Sequence, residues 1–369
     1  MIFHFINYLF DTIEPLSFLR LFQYLSFRAI CAAITGFGVT LFLGEWIIRL
    51  LYVNNFRDTP RSNIIPSSAS KAGTPLMGGI LIITSIFISI FLWGNLQNLF
   101  TWLSLLSMAW FALLGFLDDY LKVKHKDSNR GLSQIAKILS QALLGLIFGL
   151  IILSPSISPI PGEISSELYL PFLKDPVLNL GWWYLPFIIF VFVAIVNAVN
   201  FADGLDGLLV VPLSFTVVVY GIFAYIIGNS IYSGYLQFTH LPGSGELTVI
   251  CAGILGTCLG FLWYNSYPAQ IFMGDVGSLP LGGIVAALAI LLKQEFLFMI
   301  TGGIFVAMAF SVLIQEKIGI RWLGRRIFYL APLHHTFQYR GLAETKVVIR
   351  FWIIAGILAI IGLSTLKIR

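Results

Sequence analysis

Four short stretches of this 369-residue chain hold residue types that could do chemistry. The first is Asp118-Asp119-Tyr120-Leu121-Lys122. Adjacent carboxylates repel each other, which raises one pKa, and they oppose the partial negative charge at a helix C-terminus. A metal ion or an extended substrate contact would justify them; a solvated membrane-exit loop is the plainer alternative. Lys122 lies four residues after Asp118 and shares its face if a helix continues that far. The second stretch runs from Asn197 to Gly207, with polar residues every three positions at Asn197, Asn200, Asp203 and Asp206. Asn197 and Asn200 fall in or at the edge of an apolar run, where unpaired amides are expensive. Gly204 and Gly207 permit a tight exit or a close backbone approach to a ligand; interhelical hydrogen bonding plus a turn would also explain the pattern. The third comprises Asn265 and Phe272-Met273-Gly274-Asp275-Val276-Gly277-Ser278. Its Asp275 could reach a metal while amides at a helix start face phosphate. A Gly-rich turn with a helix cap is the alternative, and no P-loop pattern is present. The fourth is Pro332-Leu333-His334-His335-Thr336-Phe337. Paired histidines could contact phosphate or move a proton, or simply lie at the surface. Adjacent histidines are not the i, i+4 pair of a helical zinc site.

Many carboxylates, few histidines and basic loops suit Mg²⁺ with phosphate better than zinc. Mg²⁺ takes one or two carboxylates and completes its shell with phosphate oxygens and water. Cys31, Cys251 and Cys258 stand isolated in apolar stretches, with no metal-ligand spacing and no disulfide framework.

The elements that must position these residues are set by composition. Hydrophobic residues make up 58% of the chain and charged residues 11%, against about 25% charged in a soluble domain. Mean hydropathy is +0.91. There is too little polar material to cover a soluble core, so the apolar surface must face lipid. The net charge of +5 sits in short loops between apolar runs, a pattern of membrane orientation rather than nucleic-acid binding.

A span needs about 20 largely apolar residues. Ten segments fit: 25–50, 76–93, 98–117, 133–153, 182–200, 208–227, 247–264, 278–293, 296–315 and 348–366. The eighth is short, and Lys293, Gln294 and Glu295 separate it from the ninth, because two charges within one span would be costly. The expected fold is therefore an all-α polytopic membrane protein, one integral membrane domain over 1–369. Arg57, Arg61 and Lys71 follow the first span, Lys122, Lys124, Lys126 and Arg130 the third, and Lys317, Arg321, Arg325, Arg326, Arg340 and Lys346 the ninth; the even loops hold Lys174 and Lys293. The positive-inside rule puts the odd loops in the cytoplasm and both termini outside, in the periplasm. All four chemical stretches then face one cytoplasmic cleft.

Residues 1–24 lack the basic start of a cleavable signal and read as an interfacial segment or short pre-span. The loop 154–181 has room for a small external hairpin near Glu167 to Leu173. Arg321 to Phe337 alternates basic and bulky apolar residues, as a helix at an anionic membrane interface would.

With these groups assembled, the sequence resembles the phospho-N-acetylmuramoyl-pentapeptide transferases, within the polyprenyl-phosphate N-acetylhexosamine-1-phosphate transferase superfamily. The resemblance covers nearly the whole chain. It rests on Lys71 to Gly79, the Asp118 motif, Asn197 to Gly207, Phe272 to Gly283, and Ala331-Pro332-Leu333-His334-His335, in that order. It implies a ten-span fold in the bacterial inner membrane and Mg²⁺-dependent transfer of phospho-MurNAc-pentapeptide from UDP-MurNAc-pentapeptide to undecaprenyl phosphate. The products are lipid I and UMP, an early stage of peptidoglycan synthesis, and a homodimer is typical of the family. By the same resemblance Asp275 binds the metal, Asp118 deprotonates the lipid phosphate or acts as nucleophile, and Asp119 assists. Asn200, Asp203 and His334 organise the diphosphate and metal site, alongside Asn197 and His335. Lys71, Gly204, Leu205, Asp206, Asn265 and Phe272 resemble the nucleoside-binding set, Lys122 and Lys137 line the cleft, and Gln315 lies near nucleotide and sugar.

The sequence departs from the family pattern in places. Thr336 stands for the third histidine, Ser-Ser-Ala-Ser precedes Lys71 in place of a basic lead-in, Ala202 precedes Asp203 in place of Thr, and Leu76 takes a position that is often Thr. No acidic centre is removed. Three rivals stay open: a related transferase of UDP-GlcNAc without peptide recognition, a transporter or ion pathway, and a scaffold of a cell-wall assembly complex. The absence of a comparable charged set on the external side disfavours alternating access, and a scaffold needs no acidic centres.

Overall fold

The computed structural model describes residues 1–5, 17–56, 73–125, 127 and 130–368. Its principal helices in chain order are α1 Leu25–Val53, α2 Gly79–Trp93, α3 Leu99–His125, α4 Gln134–Leu153, α5 Tyr184–Asn200 and α6 Val210–Ile227. The short α7, Ser230–Tyr235, follows, then α8 Glu246–Asn265, α9 Asp275–Leu291, α10 Leu297–Thr301, α11 Gly303–Leu313, α12 Leu333–Tyr339 and α13 Glu344–Ser364. Among the described residues, eight helices are long and apolar enough to cross a membrane. The seventh of these runs from α11 through a π-helical extension to Trp322. Helices α2 and α9 are shorter, at 15 and 17 residues. The protein is an all-α, multi-pass membrane protein.

Helix α9 is the axis of the assembly. Every residue from Val276 to Leu291 is buried, and the helix packs against α3 and α5. A helix apolar all round and wrapped by protein needs no lipid-facing stripe. The outer helices instead expose large apolar side chains such as Phe42, Trp46, Phe190, Trp263 and Ile360. Trp182 and Trp183 stand exposed just before α5, where amphipathic rings favour a membrane–water boundary.

Helix α3 runs eight residues past the expected end of its span, to His125. Asp118 and Asp119 therefore lie inside the helix rather than at its terminus. The terminal turn carries Lys122, Lys124 and His125, which suit the partial negative charge there. Helix α4 begins at an N-cap, Ser133, whose hydroxyl accepts from the Ala136 amide at 3.2 Å.

The external hairpin forms, but its strands are Glu167–Leu168 (β1) and Leu178–Asn179 (β2), paired antiparallel with Glu167 opposite Asn179. The second strand thus lies beyond Leu173. The chain breaks between α9 and α10 where the charges of Lys293 and Glu295 predict, yet both are buried. Lys293 Nζ donates to the Ser165 carbonyl at 3.0 Å, lies 3.7 Å from the Tyr184 ring centroid and sits 3.8 Å from Glu295 Oε1. Tyr184 donates its hydroxyl proton to the same Glu295 oxygen. Burial pulls the Lys293 pKa down to about 8, against the opposing pull of Glu295 and Glu167, and burial also raises that of Glu295.

The expected single interfacial helix over Arg321 to Phe337 is not continuous. A π-helical turn spans Ile314–Trp322, and helix resumes at Leu333. Gly324, at φ +61°, and Pro332 stand between the two pieces.

Candidate active site

Two helices meet to build the acidic centre. A Cβ on Gly115 of α3 would lie 2.2 Å from the Asp275 carbonyl oxygen, so only glycine lets α3 approach the start of α9 this closely. One turn later on α3 come Asp118 and Asp119. Gly274, at φ +72°, turns the chain into α9 and presents Asp275 as its first residue. Carboxylate oxygens of Asp118, Asp119 and Asp275 lie within 4.8 Å of one another, with Asp118 and Asp119 buried and Asp275 partly open.

Each carboxylate is held by a fixed donor. Asp118 Oδ1 accepts from the Leu132 amide at 2.7 Å, and Asp119 Oδ2 accepts from the Val276 amide at 3.0 Å. Asn200 Nδ2 donates to Asp275 Oδ1 at 2.9 Å and to Ser278 Oγ at 2.8 Å. Two ammonium groups face the remaining oxygens. Lys122 Nζ lies 2.5 Å from Asp118 Oδ2, 3.4 Å from Asp119 Oδ1 and 3.1 Å from Asp275 Oδ2. Lys137 Nζ lies 2.8 Å from Asp118 Oδ2 and 2.8 Å from Asp275 Oδ2. Three carboxylates against two ammonium ions leave an excess of one negative charge. Oxygen-only donors with excess negative charge fit a hard divalent cation. Neither histidine of the 334–335 pair belongs to this carboxylate group.

The other sequence-derived residues make contacts of their own. Asn197 Nδ2 donates to Gln141 Oε1 at 2.7 Å and to the Val193 carbonyl at 2.8 Å, so it ties α5 to α4. Asp206 Oδ2 accepts from the Ala269 amide at 3.1 Å, and Asn265 Oδ1 from the Gly207 amide at 3.0 Å. Leu205, Asp206 and Asn265 are buried, whereas Gly204 is exposed and Asp203 half-buried. Phe272 is half-buried, and its carbonyl accepts from the Gly78 amide at 2.8 Å. His334 packs its imidazole against Gly204, where an added Cβ would lie 2.2 Å from Nε2. It is buried beside His335, with ring centroids 4.2 Å apart and the ring planes tilted by 60°. Burial, with a smaller contribution from His335, holds its pKa well below the ordinary histidine range. His335 Nδ1 pairs with Gln338 Oε1 at 2.9 Å. Gln315 bonds the backbone of Ile327 and Phe328 and so braces the 323–332 segment. Lys71 lies outside the described residues.

Gln141 was absent from the sequence-derived set, and Ser278 closed its third stretch without a role. Gln141 carried a signal: it is a lone amide in an apolar segment, four residues after Lys137 and therefore on its face. Ser278 is an ordinary residue near a helix start and gave none.

Fold and site together define a polytopic membrane protein with an acidic, lysine-flanked centre between buried helices. Residues 101–293 match the Glycosyl transferase family 4 description. Across 350 residues the chain is 46% identical to the phospho-N-acetylmuramoyl-pentapeptide-transferase of Citrifermentans bemidjiense, covering 95% of this chain and 96% of that one. It is 44% identical over 370 residues, the whole of both chains, to the enzyme of the same name from Maridesulfovibrio salexigens. The corresponding Pelagibacter ubique protein is 45% identical over 364 residues, 97% of this chain and 98% of that one. The chain belongs to the phospho-N-acetylmuramoyl-pentapeptide-transferase family.

Proposed function

We propose that this protein transfers phospho-MurNAc-pentapeptide from UDP-MurNAc-pentapeptide to undecaprenyl phosphate, yielding lipid I and UMP for peptidoglycan synthesis. The acidic centre faces the cytoplasm in the bacterial inner membrane. The observation that carries this reading is the convergence of Asp118, Asp119 and Asp275 with Lys122, Lys137 and Asn200. That set matches what phosphoryl transfer needs, which is alignment and charge neutralisation.

An acceptor phosphate oxygen forms a bond to the sugar-linked phosphorus. The bond from that phosphorus to the bridging oxygen breaks, and UMP leaves with the electron pair. Lys122 and Lys137 bind and neutralise the phosphate groups. Asn200 orients Asp275, and the Val276 amide fixes Asp119. The Leu132 amide holds one oxygen of Asp118, leaving Oδ2 toward the lysines to take a proton from the acceptor phosphate. Asp275, with the neighbouring aspartates, would hold Mg²⁺, which supplies charge stabilisation to the diphosphate and the departing nucleotide when bound. Direct attack needs no covalent enzyme intermediate; trapping of a phosphorylated Asp118 with nucleotide sugar alone would establish the two-step route instead.

The test is reconstitution of purified protein with labelled UDP-MurNAc-pentapeptide or UDP-GlcNAc, polyprenyl phosphate and Mg²⁺. Lipid-linked product and stoichiometric UMP from the muramoyl donor are expected. Product from UDP-GlcNAc alone would refute the substrate assignment, and none from either would refute the transferase reading.

A further inference from the structure

The loop that follows α5 is anchored from behind by the last helix of the chain. Glu344, the first residue of α13, is buried, and its Oε1 accepts from the Asp206 amide at 3.1 Å. Eight residues on, Trp352 Nε1 donates to the Gly207 carbonyl at 3.2 Å. Residues eight apart on a helix lie about 80° apart around its axis at 3.6 residues per turn, within one broad face. One broad face of α13 thus grips the backbone of two consecutive residues of the loop, the Asp206 amide and the Gly207 carbonyl. Opposing contacts come from α8, where Asn265 Oδ1 takes the Gly207 amide, and from the Ala269 amide, which takes the Asp206 carboxylate. Gly207 is held at φ +72° between the Trp352 and Leu262 side chains. The anchored end of the loop is buried, while at its other end Gly204 is exposed and Asp203 half-buried.

We propose that Glu344 and Trp352 are positioning residues for the nucleotide-sugar donor. They fix the Asp206–Gly207 backbone so that Asp203 to Leu205 meet the donor in one preset geometry. The inference rests on the reading of this loop as part of the donor site. Neither residue touches the three-aspartate centre, so their influence is on donor binding rather than on the chemical step. A buried amide deprived of its charged acceptor loses an interaction worth about 1.5–3 kcal/mol, and the freed loop must be ordered again by each arriving donor.

The experiment compares steady-state kinetics of full-length E344A, E344Q and W352F, with D203N as a direct probe of the loop. Donor and acceptor concentrations are varied independently, and thermal unfolding is followed in the same detergent. E344A is expected to raise the donor KM about tenfold, with kcat changed less than about twofold and the acceptor KM unchanged. E344Q keeps a side-chain oxygen for the Asp206 amide and should return the donor KM to within about threefold of the native protein. W352F keeps the ring and loses the donor, so a rise of about threefold is expected. These magnitudes correspond to one hydrogen bond, at about 1.4 kcal/mol per factor of ten. Should E344A fail to fold, E344Q and W352F carry the test. D203N raising the donor KM while the folded clamp variants leave it unchanged would overturn the clamp and spare the donor-loop reading. D203N and the clamp variants all leaving donor constants unchanged would overturn the donor-loop reading, and the clamp with it. A fall in kcat with both KM values steady would also overturn the proposal.

Discussion

At the scale of single residues, the acidic centre makes a sharp demand. Asp275 is the partly open member of the triad and is gripped by Asn200, Lys122 and Lys137. Asp275→Asn keeps the shape and removes one negative charge from the site proposed to hold a divalent cation against two ammonium groups. Turnover should fall at least about a hundredfold, the scale of losing one electrostatic catalytic group, with membrane insertion unchanged. Mg²⁺-dependent activity near the native rate would refute the metal assignment. His334 makes a different prediction. Its pKa is lowered by burial in the folded protein, so the unfolded chain binds more protons as pH falls through about 6.5. Stability should therefore decline on acidification beneath that value, and His334→Gln should flatten the decline; equal acid sensitivity of the melting temperature in both proteins would contradict it. The acidic pair, Asp275 and the Asn197–Asn200 spacing were legible in the sequence because charges and amides in apolar surroundings are costly and therefore conspicuous. Glu344 and Trp352 were not, since an acidic residue at a helix start and a tryptophan in an apolar span are both commonplace. Their partners, the amide and carbonyl of Asp206 and Gly207, are backbone groups that sequence does not display.

At the scale of elements, hydropathy located the long helices but not their ends. Helix α3 continues to His125, its Asp118, Asp119 and Lys122 turned to the acidic centre while Lys124 and His125 stand exposed. The sequence reading also correctly broke the chain at Lys293 to Glu295, but on the premise that charges leave the membrane. Here they are instead buried, and Lys293 Nζ and Glu295 Oε1 find partners in Ser165, Tyr184 and each other. The Lys293–Ser165 bond ties the α9–α10 turn to the segment leading into the β1–β2 hairpin. Removing one partner of such a pair leaves an uncompensated buried charge, a loss of about 3–5 kcal/mol, whereas removing both costs far less. Lys293→Met should therefore lower the detergent melting temperature substantially, and the double variant Lys293→Met/Glu295→Gln should recover much of it. A double variant no more stable than the single one would show that the two charges do not compensate each other.

For the whole molecule, two contacts bear on how many helices cross. The Gly78 amide donates to the Phe272 carbonyl at 2.8 Å, so residues 78 and 272 share one depth. Between them lie α3, α4, α5, α6 and α8, an odd number of long helices, and the contact joins one side of the membrane to itself only if α2 also crosses. His334 packs against Gly204, and between them lie α6, α8 and the α10–α11 segment, again odd unless α9 crosses too. At about 1.5 Å per residue, helices of 15 and 17 residues reach about 22–26 Å, short of about 30 Å of hydrocarbon. For α9 that shortfall is tolerable, because its walls are protein rather than lipid and its ends meet polar groups there. Ten crossings with both termini outside are therefore expected. Single cysteines introduced at Trp322 and His125 should react with a membrane-impermeant thiol reagent only from the cytoplasmic side, and those at Ser156, Lys174 and Ser230 only from the periplasm. Cys31, Cys251 and Cys258 would first be replaced. Labelling of His125 and Trp322 from opposite sides would mean that α9 fails to cross, and would separate residues that the catalytic proposal requires in one cleft.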